Sequence, residues 1–579
     1  MEIILPFHGI MTPMRPSRQV LLPALLLAAS AAFILWQNAH VAVLWDLSFL
    51  LDSAYRFSLG QVPYRDLPFS HAPLTFLLQA ALIRLFGRVY WHTVAYACVA
   101  GSLASLLTWR LLSRILRPLG PRSFSLAALL SAPLVVLGIH SIYPHPIYDS
   151  DAILAILLAL ALLLKALDFP DAASDAASDA ASPADAALSP PRWSLLAGLA
   201  CTLPVLIKLN IGLFFLASTM LAVGLIAAAK RLHNQPIVRE LLLLASTLAA
   251  LALELLALHL WAGLGNFLHW TVHFAAQRRL PGLAVVLGAY HQQSLLWTLP
   301  SAALGLWLLL EHGGLGLGRT AVNLLTRAPQ PASARRRPIA TLLLAAPLLW
   351  TLLELIWTSG PDERADQLLA LWPHLLLLAA AVALLRLRRR PTLRSLLPWI
   401  LLATVHGAFL SQQLWGSTYA LWPLFLLLVA LLLAELPALA LPLASTVSAT
   451  LLVCGALYAL SHERLGYIHL EGAPARATAP SLRGITTPGP WLPAFDELLR
   501  FAAAEIPPND PILLVPGEDP FFFATGRTPA YPVLLFDPAT FPYTPPQAAA
   551  TARATGIRWL ILKRDLQLTA PPYDQLPAL

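Results

Sequence analysis

Long apolar runs and short polar segments alternate along most of this chain. A helix needs about 20 predominantly apolar residues to cross a bilayer, and runs near that length recur up to residue 460. We therefore predict about thirteen membrane-spanning helices. Their ranges are 20–44, 89–109, 123–142, 152–167, a pair within 193–229, 240–262, 293–311, 339–358, 367–385, 396–411, 417–434 and 437–460.

Three stretches depart from single spans. Residues 47–59 and 74–86 have the pattern of short interfacial helices, and both belong to a first outer loop covering 44–88. Residues 193–229 are too long for one span and lie between basic residues at both ends. We predict a pair of short helices there, turning on the outer side near Lys208.

The pattern changes after about residue 461. An amphipathic helix is predicted around 496–504, and short buried strands at 510–515 and 558–563 are bounded by turn residues. Residues 547–556 lie between the strands and supply a crossover helix. The sequence thus predicts a membrane domain over 1–461 and a small α/β domain over 462–579 on the outer face.

Composition agrees with a membrane protein, since 58% of the 579 residues are hydrophobic and only 12% are charged. A single soluble core stops growing near 250 to 300 residues, so this much apolar surface needs a bilayer. The net charge of +8 comes from basic residues in short loops between spans, which is the signature of cytoplasmic loops and not of nucleic-acid binding. The threading leaves the N-terminus in the cytoplasm and the C-terminal domain outside, and the Arg/Ala/Leu-rich usage indicates a bacterial inner membrane.

Two further features carry no chemistry. Residues 168–191 contain a repeated Asp-Ala-Ala-Ser unit followed by prolines, which predicts a low-complexity cytoplasmic linker. The three cysteines, Cys98, Cys201 and Cys454, lie in apolar runs and are too scattered for a disulfide or metal framework.

Carboxylates concentrate in the first outer loop, at Asp46, Asp52 and Asp66. Each would cost about 2.5 to 3.5 kcal/mol in hydrocarbon, so the segment must lie in water or in a protein cavity. A carboxylate is the group with which enzymes take a proton from an attacking hydroxyl. We predict that this loop carries the site, with Asp52, Arg65 and His71 as candidate substrate contacts. The alternative for Arg65 is a simple ion pair with Asp66.

Another group of candidates follows at the next outer turns. Asp149 and Asp151 are catalytic candidates, and with His145 nearby they have the spacing of a site for a divalent cation. The alternative is that they cap the following helix. The sequence indicates no other cofactor, and it is compatible with either a divalent cation or helix capping at these residues.

Basic and aromatic residues complete the set of candidates. Lys208, Arg278 and Arg279 have the charge needed to hold a lipid phosphate, or else they extend to the membrane interface. Tyr419 lies in an aromatic and hydroxyl-rich stretch that suits sugar stacking or, equally, an interfacial aromatic belt.

The order of these residues resembles a known family. Asp46 precedes Gly60-Gln-Val-Pro-Tyr-Arg-Asp by fourteen residues, His71-Ala-Pro-Leu follows, and Ile207-Lys-Leu-Asn-Ile-Gly212 comes later. This arrangement resembles the first outer loop of the GT-C membrane glycosyltransferases, in the branch of protein O-mannosyltransferases and lipid A aminoarabinose transferases. The resemblance implies that Asp46 is the general base, against a structural role as a helix N-cap. It also implies a polyprenyl-phosphate sugar donor and inverting transfer to a hydroxyl on a glycan, lipid or protein.

One departure from the family concerns the residue after Asp46. Family members often have an acidic pair here, whereas this chain has Leu47. Either Asp46 acts alone, or its partner is Asp52, Asp149 or Asp151. Two alternatives therefore stay open: a transporter or flippase of lipid-linked sugars, and a non-catalytic partner subunit of the same architecture.

Overall fold

A computed structural model of the chain describes residues 18–167, 191–279, 282–288, 290–310, 331–357, 371–386, 391–411, 419–461, 465, 467–537 and 540–569. Within these ranges seven helices are long and apolar enough to cross a membrane. They are Val20–Asn38, Trp91–Ile115, Tyr148–Leu167, Leu209–Leu232, Val238–Ala262, Arg337–Glu354 and Ala440–Leu460. The predicted class, an all-α polytopic membrane protein, is confirmed.

Residues 18–167 contain seven α-helices. In chain order they are α1 (Arg18–Asn38), α2 (Leu44–Ser58), α3 (Leu74–Phe86), α4 (Trp91–Ile115), α5 (Ser123–Ser131), α6 (Leu134–Leu137) and α7 (Tyr148–Leu167). The short helices α2 and α3 pack together in the loop between α1 and α4, where interfacial helices were predicted. The long helices α1 and α4 pack against each other.

The prediction of one continuous span over 123–142 is wrong, because the structure has two separate helices there. The region is divided into α5 and α6 at Ala132 and Pro133. Proline has no N–H to donate and its ring obstructs the carbonyl four residues earlier, so a helix breaks or bends there. The chain beyond Leu137 is non-helical up to Tyr148 and forms a loop that reaches the site.

The predicted helix pair within 193–229 is present as α8 (Arg192–Ile207) and α9 (Leu209–Leu232), followed by α10 (Val238–Ala262). Lys208 separates α8 from α9 in an extended conformation, with φ −145° and ψ 109°. The close turn requires Gly212, because a side chain there would collide with the backbone of Pro204 and Val205. The second helix is longer than predicted and reaches 24 residues.

The remaining described α-helices of the membrane part range from 5 to 27 residues. They are α11 (Leu264–Leu268), α12 (Ala275–Arg279), α13 (Leu283–Gly288), α14 (Leu295–Leu310), α15 (Pro331–Trp357), α16 (Leu371–Arg386), α17 (Leu393–Phe409), α18 (Trp422–Leu433) and α19 (Ala440–Leu460). Helix α17 packs on α9, and α15 packs on both α14 and α19. Helix α18 is almost entirely buried and lies within the apolar core that these helices share.

The C-terminal region contains the predicted mixture of helix and strand. Its elements are β1 (Pro474–Arg476), β2 (Thr486–Pro488), α20 (Trp491–Glu505), β3 (Ile512–Val515), α21 (Phe521–Thr525), α22 (Pro545–Ala554) and β4 (Trp559–Leu562). Strands β3 and β4 pair in parallel, with Ile512 opposite Trp559. Parallel strands need a crossover connection, and α22 lies in it as predicted. Strands β1 and β2 form a separate antiparallel pair.

Helix α2, within the loop between α1 and α4, packs against this C-terminal region. Leu47 and Leu51 of α2 are fully buried and share one apolar core with Phe495, Phe521 and Phe523. A helix buried on more than one side is held firmly, because each face loses apolar surface to a different neighbour. The two regions therefore meet at the helix that carries Asp46.

Candidate active site

Asp46 lies in the first turn of α2 with its carboxylate directed at tyrosine hydroxyls. The Tyr467 hydroxyl donates to Asp46 Oδ2 at 2.7 Å, and the Tyr143 hydroxyl is a second hydrogen-bond partner. Burial raises the pKa of Asp46 to about 6, against the opposing effect of the two hydroxyls. At neutral pH the carboxylate is ionised yet retains appreciable basicity, which is the property a general base needs.

A buried hydrogen-bond chain fixes the loop that precedes α2. The Val43 N–H donates to His145 Nε2 at 3.3 Å, so the ring proton lies on Nδ1, which contacts the Tyr90 hydroxyl at 3.1 Å. Tyr90 in turn donates to Asn38 Oδ1 at 3.2 Å, and Asn38 Nδ2 donates to the Pro144 carbonyl at 2.9 Å. The end of α1 and the start of α2 are thereby bound to the loop before α7.

Asp149 and Lys208 form an ion pair beside Asp46. Both residues are buried, and Lys208 Nζ contacts Asp149 Oδ1 and lies 5.2 Å from the centre of the Tyr148 ring. The negative charge of Asp149 acts on Asp46. The break between α8 and α9 therefore places a cation within the protein, close to the first outer loop.

Asp151 points to a different side of α7, because residues two apart do not share a helix face. Its carboxylate accepts from Thr75 Oγ1 at 2.6 Å and from the Tyr96 hydroxyl at 2.9 Å. It thus connects α7 to α3 and α4. Across the described ranges, no group of three or more His, Cys, Asp or Glu side chains is arranged to hold a metal ion.

Asp52 is buried on α2 and caps a helix of the C-terminal region. Its carboxylate accepts from the Phe523 N–H at 2.7 Å and the Phe522 N–H at 3.3 Å, at the start of α21. Burial raises the pKa of Asp52 from 3.8 to about 8, while these N–H groups and Arg56 oppose the shift. Asp52 therefore binds helix α2 to helix α21 of the C-terminal region, and its hydrogen bonds are separate from those of Asp46.

The raised pKa of Asp52 predicts a pH effect on stability. Between about pH 4 and pH 8 the folded protein keeps the Asp52 proton, whereas the unfolded chain has released it. The stability that protonated Asp52 contributes is therefore complete below about pH 4 and is lost progressively as the pH rises to about 8. We expect the unfolding temperature of the wild type in detergent to fall between pH 5 and 8, and Asp52→Asn to flatten that dependence. Parallel curves for the two proteins would contradict this account.

The other predicted residues divide between the site and the surface. The His71 ring lies 4.7 Å from the Tyr148 ring, on the side of the site that carries Lys208. Tyr419 stacks on Tyr143 at 5.5 Å and lies close enough to Asp46 for their charges to interact. Arg65 is exposed and pairs with Asp66 at 2.8 Å, the alternative considered from the sequence. The side chains of Arg278 and Arg279 lie outside the described part of the chain.

The sequence pattern predicted no role for three residues that lie near Asp46. Tyr143 lies in the loop before α7, Tyr467 follows the last membrane helix, and Asp537 of the C-terminal region acts on Asp46 by its charge. Tyr143 belongs to a polar segment whose position at an outer turn was apparent from the pattern. Tyr467 and Asp537 carry no such signal, because they are hundreds of residues from Asp46.

Comparison with known proteins identifies likenesses of fold only. No family model and no curated protein matches the chain. Among solved structures it is similar to ArnT from Cupriavidus metallidurans bound to undecaprenyl phosphate, with 15% identity, a TM-score of 0.41, and coverage of 93% of this chain and 89% of that chain. It is also similar to the oligosaccharyltransferase AglB from Archaeoglobus fulgidus in complex with an inhibitory peptide and a dolichol-phosphate, with 14% identity, a TM-score of 0.47, and coverage of 94% and 70%. Both are GT-C glycosyltransferases, the family that the sequence resembles. At these TM-scores no residue role transfers from them, so roles must come from the contacts of this chain.

Proposed function

We propose that this chain is a GT-C-type glycosyltransferase that moves a sugar from a polyprenyl-phosphate carrier to a hydroxyl acceptor on a glycan, lipid or protein. The observation that carries the proposal is the juxtaposition of the Asp46 carboxylate with the buried Asp149–Lys208 pair. A base and a cation are the two groups that transfer from a sugar phosphate demands. They lie at the ends of membrane helices, where a lipid carrier would present its headgroup.

In the proposed reaction Asp46 is the general base. The acceptor oxygen forms a bond to the anomeric carbon, and the bond from that carbon to the phosphate oxygen breaks. The phosphate leaves with the electron pair, and the acceptor proton passes to Asp46. The tyrosine hydroxyls on Asp46 hold its orientation before the acceptor arrives. Attack from the face opposite the phosphate inverts the anomeric centre, as the family resemblance implies.

Lys208 is proposed to neutralise the departing phosphate. A phosphate headgroup can replace or share Asp149 as the partner of the Lys208 ammonium, and charge-assisted hydrogen bonds of this kind are the strong ones. Asp149 is the favoured acidic partner of Asp46, because Asp52 and Asp151 are engaged elsewhere. His71 and Tyr419 are proposed to line the sugar pocket, and Arg278 and Arg279 to assist with the phosphate.

The proposed location is the bacterial inner membrane, with the site and residues 462–579 on the periplasmic face and the N-terminus in the cytoplasm. The ends of the helices opposite Asp46 carry basic residues, and Arg394 Nη2 donates to the Arg114 carbonyl at 3.0 Å. Two basic loops therefore meet on one face, which supports placing that face in the cytoplasm.

The raised pKa of Asp46 predicts the pH dependence of turnover. A general base acts only when it is deprotonated, so the rate should fall as pH drops through about 6 and then decline about tenfold per unit. The measurement is kcat/KM for the free enzyme between pH 4.5 and 8.5. A rate that stays constant down to pH 4.5 would show that no group of this pKa limits the reaction.

The test of the function is release of polyprenyl phosphate by detergent-purified protein. A panel of polyprenyl-phosphate sugars is offered with a crude acceptor extract, and each reaction is followed for the free carrier lipid. Release from one donor supports the transferase and identifies the sugar. Lack of release from all donors, together with movement of labelled donor across vesicles without cleavage, would favour a transporter and overturn the proposal.

A further inference from the structure

The C-terminal region reaches Asp46 through two short segments that lie side by side. Residues 467–469 follow α19, and residues 567–569 follow β4. The Ile468–Leu568 bridge joins them, the Thr569 N–H donates to the Tyr467 carbonyl at 2.9 Å, and the His469 N–H donates to the Gln567 carbonyl at 2.7 Å. These bonds fix the Tyr467 backbone, so the position of its hydroxyl on Asp46 is set by residues 567–569.

Gln567 binds the segment pair to the turn between α1 and α2. Its side chain is fully buried, with Oε1 accepting from the Leu44 N–H at 2.8 Å and Nε2 donating to the Ala42 carbonyl at 2.9 Å. Nε2 also donates to Thr487 Oγ1 at 3.0 Å, which connects the contact to β2. The Leu44 N–H is a donor of the first turn of α2 that has no partner within the helix. Gln567 therefore holds the backbone two residues before Asp46.

We propose that this segment pair positions the base, with Tyr467 orienting the Asp46 carboxylate and favouring its ionised form, and Gln567 holding the turn that carries it. The inference rests on the proposed function of Asp46. It makes the C-terminal region part of the active site and assigns Tyr467 as a positioning residue.

The groups around Asp46 determine in which direction its pKa moves when the Tyr467 hydroxyl is removed. Tyr143, from the loop before α7, and Tyr467 are hydrogen-bond partners that stabilise the carboxylate, whereas Asp149 and Asp537 repel it. Lys208 opposes the charge of Asp149 through their ion pair. Tyr419 lies nearby through its stacking on Tyr143. Removing only the Tyr467 hydroxyl therefore removes a stabilising contact and leaves the repulsive ones, so the pKa of Asp46 must rise.

The test is the pH profile of Tyr467→Phe. We expect the acid limb of kcat/KM to move up by about one pH unit, since hydrogen bonds to a carboxylate shift its pKa by roughly that amount each. At pH 6 the rate should be about fivefold below wild type, and it should recover on the alkaline side. The matched control is Tyr531→Phe, whose hydroxyl donates to the Ala548 carbonyl within the C-terminal region, and its profile should overlay the wild type. An unshifted limb in Tyr467→Phe would overturn the proposal.

A spectroscopic measurement separates this inference from the proposed function. The infrared carboxylic acid band that disappears in Asp46→Asn is titrated in wild type and in Tyr467→Phe, with no donor present. A midpoint about one unit higher in Tyr467→Phe supports the positioning role even if no transfer activity is found. Equal midpoints overturn it whatever the activity.

A second variant tests the contact that Gln567 makes with the turn before Asp46. Gln567→Met is close in shape and removes the bonds to Ala42, Leu44 and Thr487. We expect a lower kcat with the KM for donor unchanged, because the base is displaced while the phosphate site is intact. A wild-type kcat in well-folded Gln567→Met would remove Gln567 from the proposal.

Discussion

We expect Asp46→Asn to lose nearly all transfer activity, with kcat reduced by about 100- to 10,000-fold, the range that a general base contributes. Asparagine has almost the same shape and keeps an oxygen that accepts from Tyr467, so the fold of the site is preserved. It cannot take a proton from the acceptor hydroxyl. The measurement is the single-turnover rate of carrier-phosphate release, with donor binding determined separately and expected to change little.

The matched control for this variant is Asp510→Asn. Asp510 lies before β3, at the end of the strand pair away from α2, and pairs with Arg558 at 2.9 Å. Its variant removes one carboxylate from the C-terminal region and should turn over at the wild-type rate. If Asp46→Asn also turns over at that rate, the base lies elsewhere and Asp149 becomes the next residue to test.

Lys208→Met has two separable consequences. Removing the ammonium leaves the buried Asp149 carboxylate without its cation, and breaking a buried pair in this way costs about 3 to 5 kcal/mol of stability. It also removes the cation proposed to hold the donor phosphate. The first effect appears as a lower unfolding temperature in detergent, and the second as weaker binding of the donor.

The double variant Lys208→Met with Asp149→Asn separates these effects. Neutralising both partners removes the unpaired charge, so most of the stability should return. Donor affinity should stay about tenfold to a hundredfold below wild type, the loss expected for one hydrogen bond to a charged group. Donor binding is measured by titration with the carrier-linked sugar identified in the panel.

Lys230→Met is the control for the lysine variant. Lys230 pairs at 2.6 Å with Glu240, which is 1% exposed, at the opposite end of α9. It should lose stability like Lys208→Met while donor affinity stays unchanged. A double variant at Lys208 and Asp149 that binds donor as the wild type does would show that Lys208 is a structural lysine.

The hydrophobic pattern was sufficient for most of the helical architecture. Membrane-length runs predicted helices such as α4, α7 and α10, and the excess length of 193–229 predicted the break at Lys208. The strands at β3 and β4 and the crossover helix between them followed from short apolar runs bounded by turn residues. These features succeed because helix and strand periodicity and bilayer thickness act on fewer than about 25 neighbouring residues. The break between α5 and α6 is the exception, since a proline in a membrane helix can bend it or end it.

The sequence by itself determined that this is a polytopic helical membrane protein with several of its scarce carboxylates in segments between membrane-length runs. Only the tertiary structure decided which of those carboxylates meet. Asp52 was a candidate beside Asp46, yet it caps α21, and Asp149 is the one whose charge acts on Asp46. The Tyr467 hydroxyl reaches Asp46 across 421 residues of chain. Such contacts depend on how whole helices pack and on which buried polar groups find partners, and neither is encoded in the local pattern of apolar and polar residues.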